Sequence, residues 1–262
     1  MNAHAMRLTI LGSGTSTGVP MIGCGCAVCR SSDPRNKRTR SSLWVQCQSR
    51  NILIDTSIDL RQQALACGLE RLDAVLFTHS HADHIHGLDE LRSFNYHQKS
   101  PIPCYASRET LDRIKESYGY VFSEAPSESY RPQVVANEIS AGRDLDLFGI
   151  RFEPVEVLHG GMTVFGYRFN DVAYVTDCNR IALSSMRRLS GLRLLIISTV
   201  GYKPHATHFH LDGALEIIRS LSPKEAVLTH LSHAFDHGKV SRELPSGVRL
   251  AHDGMVIEVS DS

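Results

Sequence analysis

The sequence predicts an α+β fold built from two β-rich halves, and three observations predict it. Apolar runs of strand length alternate with helix-like segments through both halves of the chain. Several of those runs end on a histidine or an aspartate, so the strands deliver polar groups to particular points. No linker, low-complexity block or short internal repeat separates the halves. The 262 residues, 42% of them apolar, therefore read as a single domain over 1–262, with enough apolar material for one large core or two small ones.

Arg7-Leu8-Thr9-Ile10-Leu11 reads as the first strand, and the glycine-rich Gly12–Gly18 loop follows. A dinucleotide fingerprint would need glycine where Thr17 stands, and a phosphate loop would need lysine where Val19 stands, so a nucleotide cradle is not expected. The glycines suit a close approach of backbone near the site. Leu43–Cys47 and Asn51–Ile54 form a hairpin, and Ser57 caps a helix running to Cys67, with Gly68 as its stop. A buried strand spans Leu72–Phe77, and a helix Ile85–Tyr96. Pro101–Tyr105 is a strand, Glu109–Tyr118 a helix, and 120–132 a loop with Pro126 and Pro132. Val134–Val175 is strand-like, with Gly149, Gly166 and Asn170-Asp171 as turn signals. Ile181–Leu189 is helical, Leu194–Ile197 a strand, Leu211–Leu221 a helix, and Ala226–Thr229 and Val256–Val259 the remaining strands.

Composition narrows the function classes. Formal net charge is zero, which gives no hint of nucleic acid or an anionic membrane as partner. There is no apolar run of 18 residues, so no membrane span is expected, and Met1–Ala5 shows no apolar signal core. Seven cysteines, three of them bunched, fit a reducing cytoplasm and metal binding better than a disulfide framework. The basic run Arg35–Arg40 reads as a solvated loop, with an anionic substrate as its alternative partner.

Thr78-His79-Ser80-His81-Ala82-Asp83-His84 puts four candidate metal ligands within six positions at the end of a strand. Alternate residues of an extended segment share a face, so His79 and His81 point together, and a helix starting next turns Asp83 and His84 toward a second point. Three later apolar runs end in His159, Asp177 and His230. Cys24-x-Cys26-x-x-Cys29 is a three-thiolate knuckle that needs a fourth ligand from elsewhere.

These motifs resemble the signature of the metallo-β-lactamase superfamily. The resemblance implies a four-layer αββα fold with one or two metals between its sheets. It implies His79, His81 and His159 on one metal, Asp83, His84 and His230 on the other, and Asp177 bridging both. A pair of divalent ions roughly 3.5–4 Å apart lowers the pKa of water and clamps a phosphoryl group. Zn or Mn is expected, with Fe or Ni as alternatives.

The knuckle, taken with Thr229-His230-Leu231-Ser232-His233, looks like the phosphoribosyl cyclic phosphodiesterase (PhnP-type) branch. There Cys24, Cys26, Cys29 and His233 would hold a structural zinc. The branch's catalytic histidine falls on His208, as general acid or phosphate ligand, with His205 and His210 as alternates. Asp83 joins His208 in the catalytic set. Asp55 and Asp59 also match family positions, and Asp55 would orient a ligand histidine from behind.

The expected activity is a dinuclear metal-dependent phosphodiesterase acting on a small cyclic phosphate ester, such as phosphoribosyl 1,2-cyclic phosphate. A homodimer is compatible with it, and a nucleic-acid or membrane partner is not expected. The alternatives are a ribonuclease Z-like tRNA 3′-processing endonuclease, for which no RNA-binding arm is evident, a thioester or lactone hydrolase, and a PqqB-type protein. A non-catalytic metal-binding protein is the reading from a different class; the full ligand set argues against it.

Overall fold

The computed structural model describes residues 6–123 and 129–259. In chain order the elements are β1 (Met6–Gly12), α1 (Ala27–Arg30), β2 (Ser42–Cys47), β3 (Arg50–Ile54), α2 (Leu60–Cys67), β4 (Ala74–Leu76) and α3 (Ala82–Ile85). Next come α4 (Leu91–Gln98), β5 (Ile102–Ala106), α5 (Arg108–Ser117), α6 (Gly119–Phe122), β6 (Val134–Glu138), β7 (Leu145–Leu147), β8 (Ile150–His159) and β9 (Met162–Phe169). The last are β10 (Val172–Val175), α7 (Leu183–Arg188), β11 (Leu194–Ser198), α8 (Leu211–Leu221), β12 (Glu225–Thr229), α9 (His237–Glu243), β13 (Val248–Leu250) and β14 (Met255–Val259). They fall into two compact units, one from 1–12, 41–140 and 254–262, the other from 13–40 and 141–253.

The first unit holds a sheet in the order β14-β1-β2-β3-β4-β5-β6. It is antiparallel from β14 to β3 and parallel from β3 to β6. The predicted hairpin is β2–β3. Its two loop residues, Gln48 and Ser49, have φ of 49° and 62°, the left-handed pair that a tight hairpin turn requires. Leu60 of α2, Leu91 and Phe94 of α4, and Leu111 and Ile114 of α5 bury their side chains in one cluster with Leu53, Val75 and Phe77. Removing this apolar area from water is what holds the helices to the sheet.

Two expectations for this unit are corrected. Helix α2 ends at Gly68 (φ 69°) as expected, but it begins at Leu60. The Leu60 amide donates to the Ser57 carbonyl at 2.9 Å, and the Ser57 hydroxyl accepts the Asp59 amide at 2.9 Å. Ser57 thus shapes a turn ahead of the helix and does not cap it. The helix expected over Ile85–Tyr96 is three pieces, α3, a 3-10 turn at Leu88–Glu90, and α4. The break lies at Gly87, where a Cβ would stand 2.0 Å from the Ser57 carbonyl oxygen. The Gly87 amide goes to the Thr56 carbonyl at 2.9 Å rather than to a helical partner. Of the loop expected over 120–132, residues 124–128 lie outside the described residues, and its start carries the short α6.

The second unit holds β13-β12-β11-β10-β9-β8-β7, parallel from β13 to β10 and antiparallel from β10 to β7. Its core gathers Val155, Val175, Leu195, Ile197, Leu228, and Ala214 and Ile218 of α8. Gly149 (φ 83°) and Asn170 (φ 53°) mark turns as expected. Gly166 does not; it sits inside β9 opposite Val155, where a Cβ would press on Val175 Cγ2 at 3.1 Å and the Tyr174 carbonyl at 3.2 Å. The solvated reading of the basic run fails at its centre. Arg38 is 2% exposed, and its guanidinium donates to the carbonyls of Ser232 and Phe235, each at 2.7 Å, and to Asn36 Oδ1 at 3.0 Å.

Two mixed sheets, each with its own helices, give the α+β class expected. In each sheet the carboxyl ends of the parallel strands release the candidate ligands, as open α/β sheets do with their binding sites. Strand β3 leads into Asp55, β4 into Thr78–His81, β10 into Asp177 and β12 into His230.

Candidate active site and cysteine knuckle

In the first unit the ligand loop is built on a buried carboxylate. Asp55 follows β3 at φ 66° and is fully buried. Its Oδ1 accepts the Thr78 amide at 2.8 Å, and its Oδ2 accepts the Thr78 hydroxyl at 2.8 Å and faces His84 Nδ1 at 2.7 Å. Burial pushes the Asp55 carboxyl up, while the His84 ring and the two Thr78 bonds pull it back toward its ionised form. With Nδ1 engaged by Asp55, His84 turns Nε2 toward Asp83 Oδ2, 3.4 Å away. His79 Nδ1 lies 2.9 Å from the Thr78 hydroxyl, and its Nε2 lies 3.0 Å from His81 Nδ1. Two imidazole nitrogens facing each other at that spacing, from residues two apart on an extended segment, fit a shared cation. The helix α3 then carries Asp83 and His84 onward. The expected His79-His81 and Asp83-His84 pairings are thus both present within this unit. Asp59 precedes α2 and its side chain makes no capping bond.

The second unit brings His159, Asp177, His208 and His230 together. Ligand atoms of His159 and of His230 each come within 4.8 Å of an Asp177 oxygen, and His230 Nδ1 stands 3.1 Å from Asp177 Oδ1. Asp177 is thereby within reach of both histidines, the position a bridging carboxylate needs. The Thr176 hydroxyl donates to Asp177 Oδ1 at 2.6 Å. His159 Nδ1 is held by the Thr207 carbonyl at 2.7 Å, which leaves its other nitrogen for a ligand role. Asp177 and His230, like Asp55, are non-glycine residues at positive φ, 53° and 55°. Each costs on the order of 1 kcal/mol of backbone strain, and such costs cluster where function demands a geometry.

His208 stacks on His230 with ring centres 5.0 Å apart and 19° between planes, and meets His159 edge-on at 4.6 Å. Its Nδ1 is buried with no hydrogen-bond partner among the described residues. Burial, opposed by Asp177 and aided by His230 and His159, pushes its pKa down to about 3. His205 is exposed, 5.2 Å from His208, and pairs with Thr207. His210 precedes α8 without capping it. Of the three histidines, His208 is the one whose ring contacts the candidate ligands His159 and His230.

The knuckle is also complete within the second unit. Ligand atoms of Cys24, Cys26, Cys29 and His233 lie within 4.8 Å of one another. His233 Nδ1 is 3.3 Å from Cys24 Sγ and 3.4 Å from Cys26 Sγ. The Cys29 amide donates to Cys26 Sγ, and the Met21 amide to Cys29 Sγ, each at 3.4 Å. The Cys29 amide, followed by His233, draws the Cys26 thiol down to about 6, so a thiolate is already favoured near neutrality. Three sulfurs and one imidazole form the donor set of a structural zinc. The seven cysteines form no disulfide.

Sequence reasoning missed three supports. Thr78 ties Asp55 to His79, and its position directly before the motif was the available signal. Asp253 takes the amide and hydroxyl of Ser13 through Oδ1 and those of Thr39 through Oδ2, at 2.6–2.9 Å. The Ser13 carbonyl in turn accepts the Leu231 amide at 2.7 Å, next to His230. Arg38 clamps Ser232 between His230 and His233. Among the described residues no helix is long and apolar enough to cross a membrane.

Comparison with known proteins places this geometry in context. A family model for the beta-lactamase superfamily domain matches residues 50–231. A solved structure described as a new diphosphatase from the PhnP family superposes with a TM-score of 0.92 at 42% identity, covering 98% of each chain. Coenzyme PQQ synthesis protein B of Methylobacterium sp. (strain 4-46) is 31% identical over 227 residues, 75% of this chain and 74% of that protein. An octanoyltransferase of Porphyromonas gingivalis (strain ATCC BAA-308 / W83) is 39% identical over 256 residues, 95% of this chain. The chain spans only 51% of that protein's length, so its name describes a molecule nearly twice as long.

Proposed function

Since this chain belongs to the metallo-β-lactamase superfamily, and within it to the PhnP family, we propose that it is a metal-dependent phosphodiesterase acting on a small cyclic phosphate ester, with phosphoribosyl 1,2-cyclic phosphate as the leading example. That it is a metal-dependent hydrolase follows from the family and from its His/Asp donor groups. The observation that carries the finer reading is Asp177, within ligand distance of both His159 and His230 while His208 packs against those same two rings.

By the family's ligand order, His79, His81 and His159 would hold one divalent ion, Asp83, His84 and His230 the second, and Asp177 both. Cys24, Cys26, Cys29 and His233 would hold a zinc. When bound, the ion pair supplies an acidified water and positive charge for a phosphoryl group. The chain's own residues do the rest. Asp55 fixes the His84 ring, and the Thr207 carbonyl fixes His159, so neither ligand must reorient during turnover. His208 has a nitrogen, Nδ1, without a hydrogen-bond partner among the described residues, and it would donate a hydrogen bond to a phosphoryl oxygen or to the departing alkoxide. The zinc or manganese, the cytoplasmic setting and the small-molecule substrate belong to this same proposal.

A second reading has one observation behind it. The PhnP-family structure at 42% identity is described as a diphosphatase, and the same groups would serve a diphosphate diester, with a phosphate in place of the alkoxide as leaving group. Assay of the metal-loaded protein against ribosyl cyclic phosphate, a nucleoside cyclic phosphate, a dinucleoside diphosphate, precursor tRNA and a thioester separates these readings. Turnover of the cyclic esters supports the first and preferential cleavage of the diphosphate the second. Turnover confined to the thioester or tRNA would overturn both.

A further inference from the structure

In the second unit, the two residues that follow Asp177 grip the chain on either side of His208. The Cys178 carbonyl accepts the Phe209 amide at 2.7 Å, one residue after His208. The Asn179 side chain takes the other side, its Nδ2 donating to the Ala206 carbonyl at 2.8 Å, two residues before His208. Asn179 Oδ1 accepts the Gly160 amide at 2.9 Å, next to His159. The Asn179 amide donates to the Leu158 carbonyl at 2.9 Å, on the other side of His159. One half-buried side chain thus ties the end of β8, which carries His159, and the segment after β10, which carries Asp177, to the loop that carries His208. That loop needs a tie. Residues 202–206 are each exposed, and an exposed segment with little apolar packing opens easily. The close approach is built in at Gly160, which has φ 62° and where a Cβ would stand 2.9 Å from Thr207 Cγ2. The catalytic reading gives Asn179 no part.

We propose that Asn179 is a positioning residue for the reaction, holding His208 against the His159 and His230 rings through its bond to the Ala206 carbonyl. This rests on the role given to His208 above. A ring that must meet a phosphoryl or alkoxide oxygen at hydrogen-bond distance loses rate when it drifts, and about 1 Å of misplacement can cost about a hundredfold. The site asks for a donor and an acceptor on one short planar group, which is what an asparagine amide supplies. Aspartate has the same shape without the donor. In Asn179→Asp one oxygen keeps the Gly160 amide, while the other faces the Ala206 carbonyl and repels it. That variant therefore separates the two bonds: it keeps the one beside His159 and breaks the one that leads to His208.

The test measures kcat and KM for ribosyl cyclic phosphate in zinc-loaded wild type, Asn179→Ala, Asn179→Asp, His208→Ala and the double variant Asn179→Ala/His208→Ala. The expected result is a kcat about tenfold lower in both Asn179 variants, with KM and metal content kept. In the His208→Ala background the same alanine substitution should cost less than about twofold, because two residues that act through one group are not additive. NMR of the zinc-loaded protein carrying 13C-labelled histidine supplies an arm independent of turnover. The His208 ring signal, assigned by its loss in His208→Ala, should shift in both Asn179 variants as the ring leaves its stack on His230. An unmoved kcat, an unmoved ring signal, wild-type behaviour in Asn179→Asp, or a full tenfold further loss in the double variant would each overturn the proposal. If no diester is hydrolysed at all, the phosphodiesterase reading fails, and the ring signal alone decides whether Asn179 positions His208.

Discussion

His84 Nδ1 lies 2.7 Å from Asp55 Oδ2, and neither side chain is exposed to solvent. The contact fixes which nitrogen of His84 remains for a metal, and it hangs on a carboxylate kept in a left-handed backbone conformation. Asp55→Asn is the sharp test, because asparagine tolerates that conformation. An amide whose oxygen keeps the Thr78 backbone N–H turns its NH2 toward the Thr78 hydroxyl and His84, which reverses the ring's proton assignment. Metal affinity measured by competitive chelation should fall about 10- to 100-fold, with the thermal unfolding of the metal-free protein little changed.

His208 packs on two candidate ligand histidines, His159 and His230, without being counted among the candidates itself. His208→Ala should therefore leave metal content at the wild-type level and reduce kcat about a hundredfold or more. Paired metal analysis and steady-state kinetics check this. Normal turnover in the variant would pass the role to His205 or His210.

The knuckle predicts the opposite pattern. Cys26→Ser should cost the protein one zinc and lower its melting temperature, because metal binding at such a site is folding free energy. Its effect on chemistry should be indirect, through His230, since His233 lies only three positions further along. Unaltered zinc content would remove the knuckle assignment.

Arg38 is the largest fully buried polar side chain in the second unit, and burial draws its pKa down to about 10. Arg38→Met leaves the Ser232 and Phe235 carbonyls without their donor. A loss of about 3 kcal/mol in urea unfolding is expected. Lysine should not restore it, as one ammonium cannot reproduce the two-pronged guanidinium contact.

Much of this was legible before any coordinates. Strands read out because their apolar runs are short and bounded, and α8 was expected at its observed limits because Leu211–Leu221 is regularly amphipathic and starts and stops cleanly. The candidate ligands read out because each closes an apolar run, so one strand-end rule picked out His79, His159, Asp177 and His230, and the structure brings His159 and His230 to Asp177. What escaped depended on neighbours distant in sequence. Gly87 breaks a helix because its amide turns to the Thr56 carbonyl where the Ser57 backbone leaves no room for a Cβ, and Gly166 looks like a turn until its neighbour strand is present. Arg38 looks solvated in a basic run until Ser232 and Phe235, nearly 200 residues on, supply its acceptors. Short elements such as β13, three residues long, carry too little pattern to register.

The central claim is that seven scattered histidine and aspartate side chains serve a pair of ions, while the cysteines serve a third. Metal-to-protein stoichiometry by plasma mass spectrometry, on wild type and Asp177→Ala purified side by side, tests it most directly. The prediction is near three ions per chain in wild type, with the zinc at the cysteines retained and the other ions lost or sharply reduced in Asp177→Ala. One ion per chain in both proteins would contradict it.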